Sequence, residues 1–384
     1  MFTWLLHKIK GDKLIWILIF LLSMISLLAV YSASSAQSFR LEGGNTENLL
    51  IKHAVLLAIG LLVIFAIHLI NYRVFAQITN MLLMVTIPLL LYTVIQGSEV
   101  NEAARWVTIF GQSFQPSDLA KLTLMIYLAK LLTQRQDVIK DFTEGFLPAL
   151  FWVSVICGLI APADLSTAAL MFVASMMVMF IAGIDIKYIG LLMVVGIMAL
   201  LILSVTAKRS STWKSRMGDY ISRVFDEEYN PADQTVQANI AIASGGLLGK
   251  GVGKSVQRNY LPHAHADFVF AIIIEEYGML GGFVIVGLYL LLLFRTVSVV
   301  TMSRTFGALM ASGLAFLLVL QALVNMGVTV GLLPITGLTL PLISMGGSSI
   351  IMTSIMLGII LSVSRDALEK GATTKQGSLS LATG

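Results

Sequence analysis

The chain has 384 residues, 57% of them hydrophobic and only 12% charged, with a mean hydropathy of +0.88 and a formal net charge of +4. A water-soluble domain carries about 25% charge, so this composition excludes a soluble enzyme, and the scattered basic residues exclude a nucleic-acid patch. What remains is an all-α polytopic membrane protein, because isolated apolar segments in lipid must satisfy their own backbone hydrogen bonds.

Lys8, Lys10 and Lys13, an apolar run, and small residues near Ala33 and Ala36 imitate a secretory leader. The run of roughly 20 residues suits an uncleaved first span better than a cleaved core of ~7–15. Ten apolar segments of spanning length lie near 14–34, 51–71, 75–96, 117–134, 143–162, 164–184, 187–206, 267–294, 305–331 and 345–364. A turn at Pro162 separates the fifth from the sixth, and the stretch around Pro334 and Pro341 has the polar interruptions of a re-entrant segment. Lys8 to Lys13, Arg73, Arg135 with Lys140, Lys187, Arg295 with Arg304, and Arg365 with Lys370 and Lys375 fall in alternate loops, which places both termini in the cytoplasm. The outer face then holds three loops, near 97–116, 207–266 and 332–346, the second being a large extracytoplasmic loop before helix 8. The reading is one transmembrane domain, 1–366, and a cytoplasmic tail, 367–384, whose composition predicts disorder. Any chemistry must act at the outer surface, away from cytoplasmic nucleotides. The single cysteine, Cys157, lies in an apolar run and carries no metal motif; the 19 methionines suit gaps between helices.

The stretch 257–278, QRNYLPHAHADFVFAIIIEEYG, concentrates the chemistry. Asp267 stands where a polar loop meets an apolar run, and Glu275 and Glu276 follow inside it; an ionisable residue at a membrane segment is a functional-site hypothesis by default. Glu275, eight residues after Asp267, falls on roughly the same helix face, and both glutamates must be paired, protonated or turned to a cavity. His263, His265 and Asp267 alternate as metal ligands can, but no matching ligand set appears elsewhere. No tightly bound cofactor is expected; a loosely held Mg²⁺ or Mn²⁺ bridging Asp267 and substrate phosphates is the metal role the sequence allows.

In the first outer loop Arg105 and Trp106 read either as a membrane anchor or as a phosphate clamp with its neighbouring aromatic. Pro116 and Ser117 start a helix, Asp118 sits in its first turn, and Lys121 lies one turn deeper on the same face. That lysine needs a partner: Asp118 is local, Asp267 is the functional alternative. Asp164 opens the sixth span after a proline turn, as a helix N-terminal carboxylate does. In S-G-G-L-L-G-K-G-V-G-K-S, 244–255, the Gly-Lys-Ser end resembles a nucleotide-binding loop, but the glycine that motif requires is Leu248 here. A glycine-rich loop can still bring backbone N–H groups to a phosphate, beside Lys250, Lys254 and Arg258. The last outer loop ends in Gly-Gly-Ser348-Ser349, which can start a helix and donate hydrogen bonds.

V30-Y-S-A-S34, A104-R-W106, F114-Q-P-S-D-L-A-K121, P162-A-D-L-S-T167, S244-G-G-L-L-G-K-G251, L261-P-H-A-H-A-D-F268, E275-E-Y-G278 and G337-L-T-L-P-L-I-S-M-G-G-S-S349 together resemble the SEDS family, with its FtsW, RodA and SpoVE branches. The chain departs from the family's usual residues at Asp118, Ser166, His263, Ala266 and Met345. V256-Q-R-N-Y-L-P and L338-T-L-P-L-I-S are more similar to the FtsW (division) branch than to the RodA (elongation) branch.

The resemblance implies a peptidoglycan glycosyltransferase that polymerises lipid II at the outer face of the bacterial cytoplasmic membrane, at the septum, beside a class B penicillin-binding protein and other division-complex proteins. Asp267 would be the general base towards the acceptor 4-hydroxyl, with inversion at the anomeric carbon. Lys121 would keep it ionised, and Arg105, Lys250, Lys254, Arg258, Ser348 and Ser349 would surround substrate and pyrophosphate. Trp106, Asp118, Asp164, His265, Glu275 and Glu276 would support them. The alternatives are a RodA-type elongation polymerase, a lipid-linked-sugar flippase with Lys121, Glu275 and Glu276 along its path, and a non-catalytic scaffold.

Overall fold

A computed structural model describes residues 10–41, 46–96, 106–109, 112–206, 218, 220–221, 233–261, 265–300 and 306–382. Eleven α-helices carry almost all of it: α1 Lys13–Leu41, α2 Thr46–Leu69, α3 Arg73–Gln96, α4 Pro116–Gln134, α5 Leu147–Ile160, α6 Leu165–Ala182, α7 Ile186–Thr206, α8 Asp233–Gly245, α9 Val269–Val300, α10 Phe306–Thr329 and α11 Gly347–Ala382. Local signals set several ends. Pro116 occupies the first turn of α4, where its missing N–H costs nothing; Asp164 accepts from the Thr167 amide to cap α6; Gly183, at φ 100°, closes α6 in the left-handed conformation.

Among the described residues, eight helices are long and apolar enough to cross a bilayer: α1, α2, α3, α5 with its preceding turn, α6, α9, α10 and α11. The chain is a multi-pass α-helical membrane protein. The other two expected segments are α4, whose hydropathy is lowered by Asp118, Lys121 and Lys130, and α7, whose apolar run is the short Ile186–Gly196. Most of α4 is buried, so Asp118 and Lys121 face protein rather than lipid. The centre of the bundle is α10: 78% of its apolar stretch is buried, against 22% for α2. It packs on α4, α6, α9 and α11.

The bundle end that carries both chain termini is stapled by Asp12. Its Oδ1 accepts from the amides of Leu14 (3.0 Å) and Ile15 (3.2 Å) at the start of α1, its Oδ2 takes Arg295 Nε (2.9 Å) and Nη2 (2.6 Å) from α9, and its amide donates to Ser364 Oγ of α11 (3.1 Å). Burial pushes the Asp12 carboxyl up, but the Arg295 guanidinium and the two amides outweigh it and hold it below the usual range. A depressed carboxylate contributes stability above its unfolded-state value, lost as pH falls through the folded one. Asp12→Asn is therefore expected to lower the unfolding temperature at pH 7, and the wild-type advantage to fade below about pH 4, as measured by thermal melts across pH.

Three expectations about loops change. The first outer loop contains a hairpin, β1 Val107–Ile109 and β2 Gln112–Phe114, with Val107 opposite Phe114 and Ile109 opposite Gln112. The large loop is not simply outside the bundle: residues 233–245 of it fold as α8, packed along the first turns of α9 through Ala238, Ala241, Phe268, Ala271 and Ile272. The tail read as disordered continues α11 to Ala382, since it has no proline and extending an existing helix is far cheaper than nucleating one.

Candidate functional site

The ninth helix is broken. Gly278 has φ 71° and ψ −175°, a backbone conformation essentially confined to glycine. A break within a membrane span strands carbonyls on one side and amides on the other, and each left unpaired in hydrocarbon costs several kcal/mol. The glycine-rich loop after α8 takes them up. Lys250 and Gly251 amides donate to the Glu275 and Glu276 carbonyls (2.9 Å each), and the Met279 and Leu280 amides donate to Gly246 and Leu247 carbonyls (2.9 and 3.3 Å). Close approach is essential: a Cβ on Gly249 would meet the Glu276 oxygen at 2.2 Å, and one on Gly278 would meet the Leu247 oxygen at 2.2 Å. The Lys250 and Gly251 amides are thus committed to α9 rather than free to cradle a phosphate, and the glycines serve helix–loop contact.

The side chains of Glu275 and Glu276 lock the same loop. Glu275, fully buried, accepts from Lys250 Nζ (2.6 Å), Ser255 Oγ (2.5 Å) and the amides of Val256 (3.1 Å) and Gln257 (3.2 Å). Glu276, 2% exposed, accepts from the Ser32 hydroxyl of α1 and the Ser255 amide (3.3 Å). Removing carboxylates from water costs several kcal/mol apiece, and here dense hydrogen bonding offsets it. The expected helical alignment of Asp267 with Glu275 does not hold: Asp267 lies in a turn before α9 begins, where helical spacing does not apply.

That turn, 265–268, is held by its backbone. His265 O accepts from the Met345 amide (2.9 Å), Ala266 O from Ser344 Oγ (2.6 Å) and Asp267 O from Asn325 Nδ2 (3.0 Å). Three successive carbonyls gripped by α10 and the 332–346 loop orient a half-buried Asp267. The 332–346 loop, expected to be re-entrant from Pro334 and Pro341, is folded into the bundle. Leu338, Leu340, Leu342 and Ile343 are buried, and side chains from three helices collect its carbonyls: Asn325 Nδ2 to Leu338 (2.6 Å), Gln321 Nε2 to Thr339 (2.9 Å), the Tyr289 hydroxyl to Pro341 (2.5 Å) and Ser26 Oγ to Ile343 (2.9 Å). Non-helical backbone at membrane depth is tolerated only when buried in protein this way.

Lys121 finds the local partner. Its Nζ lies 2.8 Å from Asp118 Oδ1 and donates to Gln321 Oε1 (3.1 Å). Its link to Asp267 is indirect, through Gln321 and, one turn on along α10, Asn325. Thr339 Oγ1 meets Ser349 Oγ at 3.2 Å, and Ser348 is buried at the start of α11. Asp164 is the cap of α6. Trp106, 39% exposed, leads into the hairpin, while Arg105 and His263 lie outside the described residues. Among the described residues no group of three or more His, Cys, Asp or Glu gathers as a metal site. Asn325, Gln321, Ser344 and Ser32 were missed in sequence. Gln321 and Asn325, four apart in an apolar helix, were the available signal.

The arrangement offers a half-buried carboxylate on a braced turn, a buried ion pair linked to it through Gln321 and Asn325, and a cation-bearing loop. The family model of the FtsW, RodA and SpoVE cell cycle proteins matches residues 12–369. A protein of Geobacter sulfurreducens named probable peptidoglycan glycosyltransferase FtsW is 35% identical over 360 residues, covering 92% of this chain and 95% of its own. Stage V sporulation protein E of Bacillus subtilis is 32% identical over 369 residues, 93% of this chain and 98% of its own. A solved chain of a peptidoglycan synthase complex that coordinates polymerisation and crosslinking superposes with a TM-score of 0.72 at 31% identity, covering 93% of this chain and 98% of that one. Rod shape determining protein RodA of Thermus thermophilus superposes at 0.68 with 28% identity, covering 93% and 97%.

Proposed function

The chain belongs to the FtsW/RodA/SpoVE family, and on that premise we propose that it is a peptidoglycan glycosyltransferase that polymerises lipid II. Asp267 is the general base. It takes the proton from the 4-hydroxyl of the acceptor sugar as that oxygen attacks the anomeric carbon of the donor, and the lipid pyrophosphate leaves with its bonding electrons. The observation that carries this role is the braced turn. A base must be held within hydrogen-bond reach of one proton, and three backbone carbonyls fixed by Met345, Ser344 and Asn325 are suited to hold it. The Asp118–Lys121 pair supports the site through Gln321, which ties α4 to the re-entrant loop.

An apolar groove of about 380 Å³ between α5, α6 and α7, lined by Gly158, Ala161, Ala168, Phe172 and Leu192, suits a polyprenyl chain. Beside Asp267 the carbonyls of 265–267 are already committed to protein donors, so a divalent ion there would have one carboxylate and the substrate's phosphates. That fits a loosely held, largely hydrated Mg²⁺ and no tight site. The likeness to the FtsW relatives supports a septal role, and the likeness to a synthase-complex chain supports a crosslinking penicillin-binding protein as partner.

The test is glycan synthesis from lipid II in detergent micelles, where no translocation is needed, with the cognate class B penicillin-binding protein and with and without Mg²⁺. Long glycan strands are the expected product. No strands, together with lipid II movement across proteoliposomes, would replace the polymerase by a transporter.

A further inference from the structure

The loop between α8 and α9 carries three cations, and the structure separates their fates. Lys250 is spent on Glu275 at 2.6 Å, and its backbone amide is spent on the α9 break. Lys254 is exposed and makes no ion pair among the described residues. Arg258 is different. Its amide donates to Ser255 Oγ (3.3 Å), and its Nη1 donates to Ser32 O (3.2 Å) and Ser32 Oγ (3.3 Å). Its Nε is buried and has no hydrogen-bond partner among the described residues. One side of the fork is therefore anchored, and the Nε–Nη2 edge, the edge that grips a phosphate through two parallel bonds, remains for a ligand. A buried donor left unpaired is costly, which marks a place for one.

Resting on the polymerase reading, we infer that Arg258 grips the departing lipid pyrophosphate, and that Ser32 and Glu276 are positioning residues that aim it. Ser32 ends the apolar part of α1, and its hydroxyl donates to Glu276. That bond fixes the rotor, so the oxygen lone pairs turn towards Arg258. This accounts for Ser32 in the V30-Y-S-A-S34 stretch, which the proposed mechanism leaves without a role, and for Glu276, which touches no described cation. Ala33, Leu261 and Phe268 share one small buried cluster, so the segments bearing Arg258 and Asp267 pack against each other there. An inverting displacement needs its base and its leaving-group ligand on opposite faces of the sugar.

The test measures two quantities in Arg258→Ala, Arg258→Lys, Ser32→Ala, Ser32→Thr and the double variant Ser32→Ala/Arg258→Ala. One is lipid II KM and kcat. The other is binding of polyprenyl pyrophosphate, read as protection against thermal unfolding. Arg258→Ala is expected to weaken pyrophosphate binding tenfold or more, with Arg258→Lys intermediate because it keeps the charge but loses the fork. Ser32→Ala should weaken binding severalfold, Ser32→Thr should restore it, and Ser32→Ala should add nothing in the Arg258→Ala background. Wild-type pyrophosphate binding by Arg258→Ala overturns the inference, as does a Ser32→Ala effect that is equal in both backgrounds. If Arg258→Ala does not fold, Arg258→Lys carries the test, and unaltered binding in it overturns the role of the fork. Without Mg²⁺, where Asp267 has no bridge to the phosphates, Asp267→Asn should bind pyrophosphate as the wild type does, so loss of the base assignment and loss of the Arg258 assignment read out separately.

Discussion

Asp267→Asn is expected to lower glycan polymerisation by ~10²–10⁴-fold, the usual worth of a positioned general base, while the protein folds as before. Asparagine has nearly the same shape but cannot take up a proton. The carbonyls of His265, Ala266 and Asp267 that brace the turn are left in place by the substitution. Strand length and yield from lipid II, beside a thermal melt of the same preparation, check both halves. A stable Asp267→Asn protein that polymerises at the wild-type rate removes Asp267 as the base.

Gly278→Ala should be, with Gly249→Ala, among the most damaging single-methyl changes at the described glycines. The residue sits at φ 71° and ψ −175°, where an L side chain costs of order 1–3 kcal/mol in strain alone. The added carbon would also lie 2.2 Å from Leu247 O and 2.4 Å from the carbonyl carbon behind it, so the loop must leave the break. With it go the hydrogen bonds to the α9 carbonyls and amides, in a setting where unpaired backbone costs several kcal/mol each. Total stabilities of only about 5–15 kcal/mol cannot absorb this, and the expected result is little folded protein extracted from membranes. Gly246→Ala is the control. It too has positive φ, 55°, but a Cβ there meets nothing within 4 Å, so its cost should be about 1–2 kcal/mol. Fluorescence size-exclusion profiles of the two variants distinguish close approach from backbone strain; equal profiles would refute the plugged-break account.

Much of this protein is determined by local sequence. Hydrophobic runs bounded by Lys and Arg set the spans, because burying an apolar residue in lipid needs no partner. Pro116 and Asp164 mark helix starts, because capping is satisfied within four residues, and the i,i+3 spacing of Asp118 and Lys121 offered the ion pair that forms, beside the alternative of Asp267. The prolines of 332–346 likewise marked a break in the helical pattern, and that stretch is non-helical. Tertiary structure alone decided what the polar residues inside the spans do. Glu275 and Glu276 appeared as isolated charges because their donors, Lys250, Ser255 and Ser32, come from a loop and a helix 20 to 244 positions away. Asn325 and Gln321 drew no notice in the sequence, and only the fold brings them to the carbonyls of Asp267, Leu338 and Thr339. A hydrophobic residue carries its preference for lipid wherever it sits, whereas a buried polar group is stable only with the particular donor or acceptor that folding brings to it.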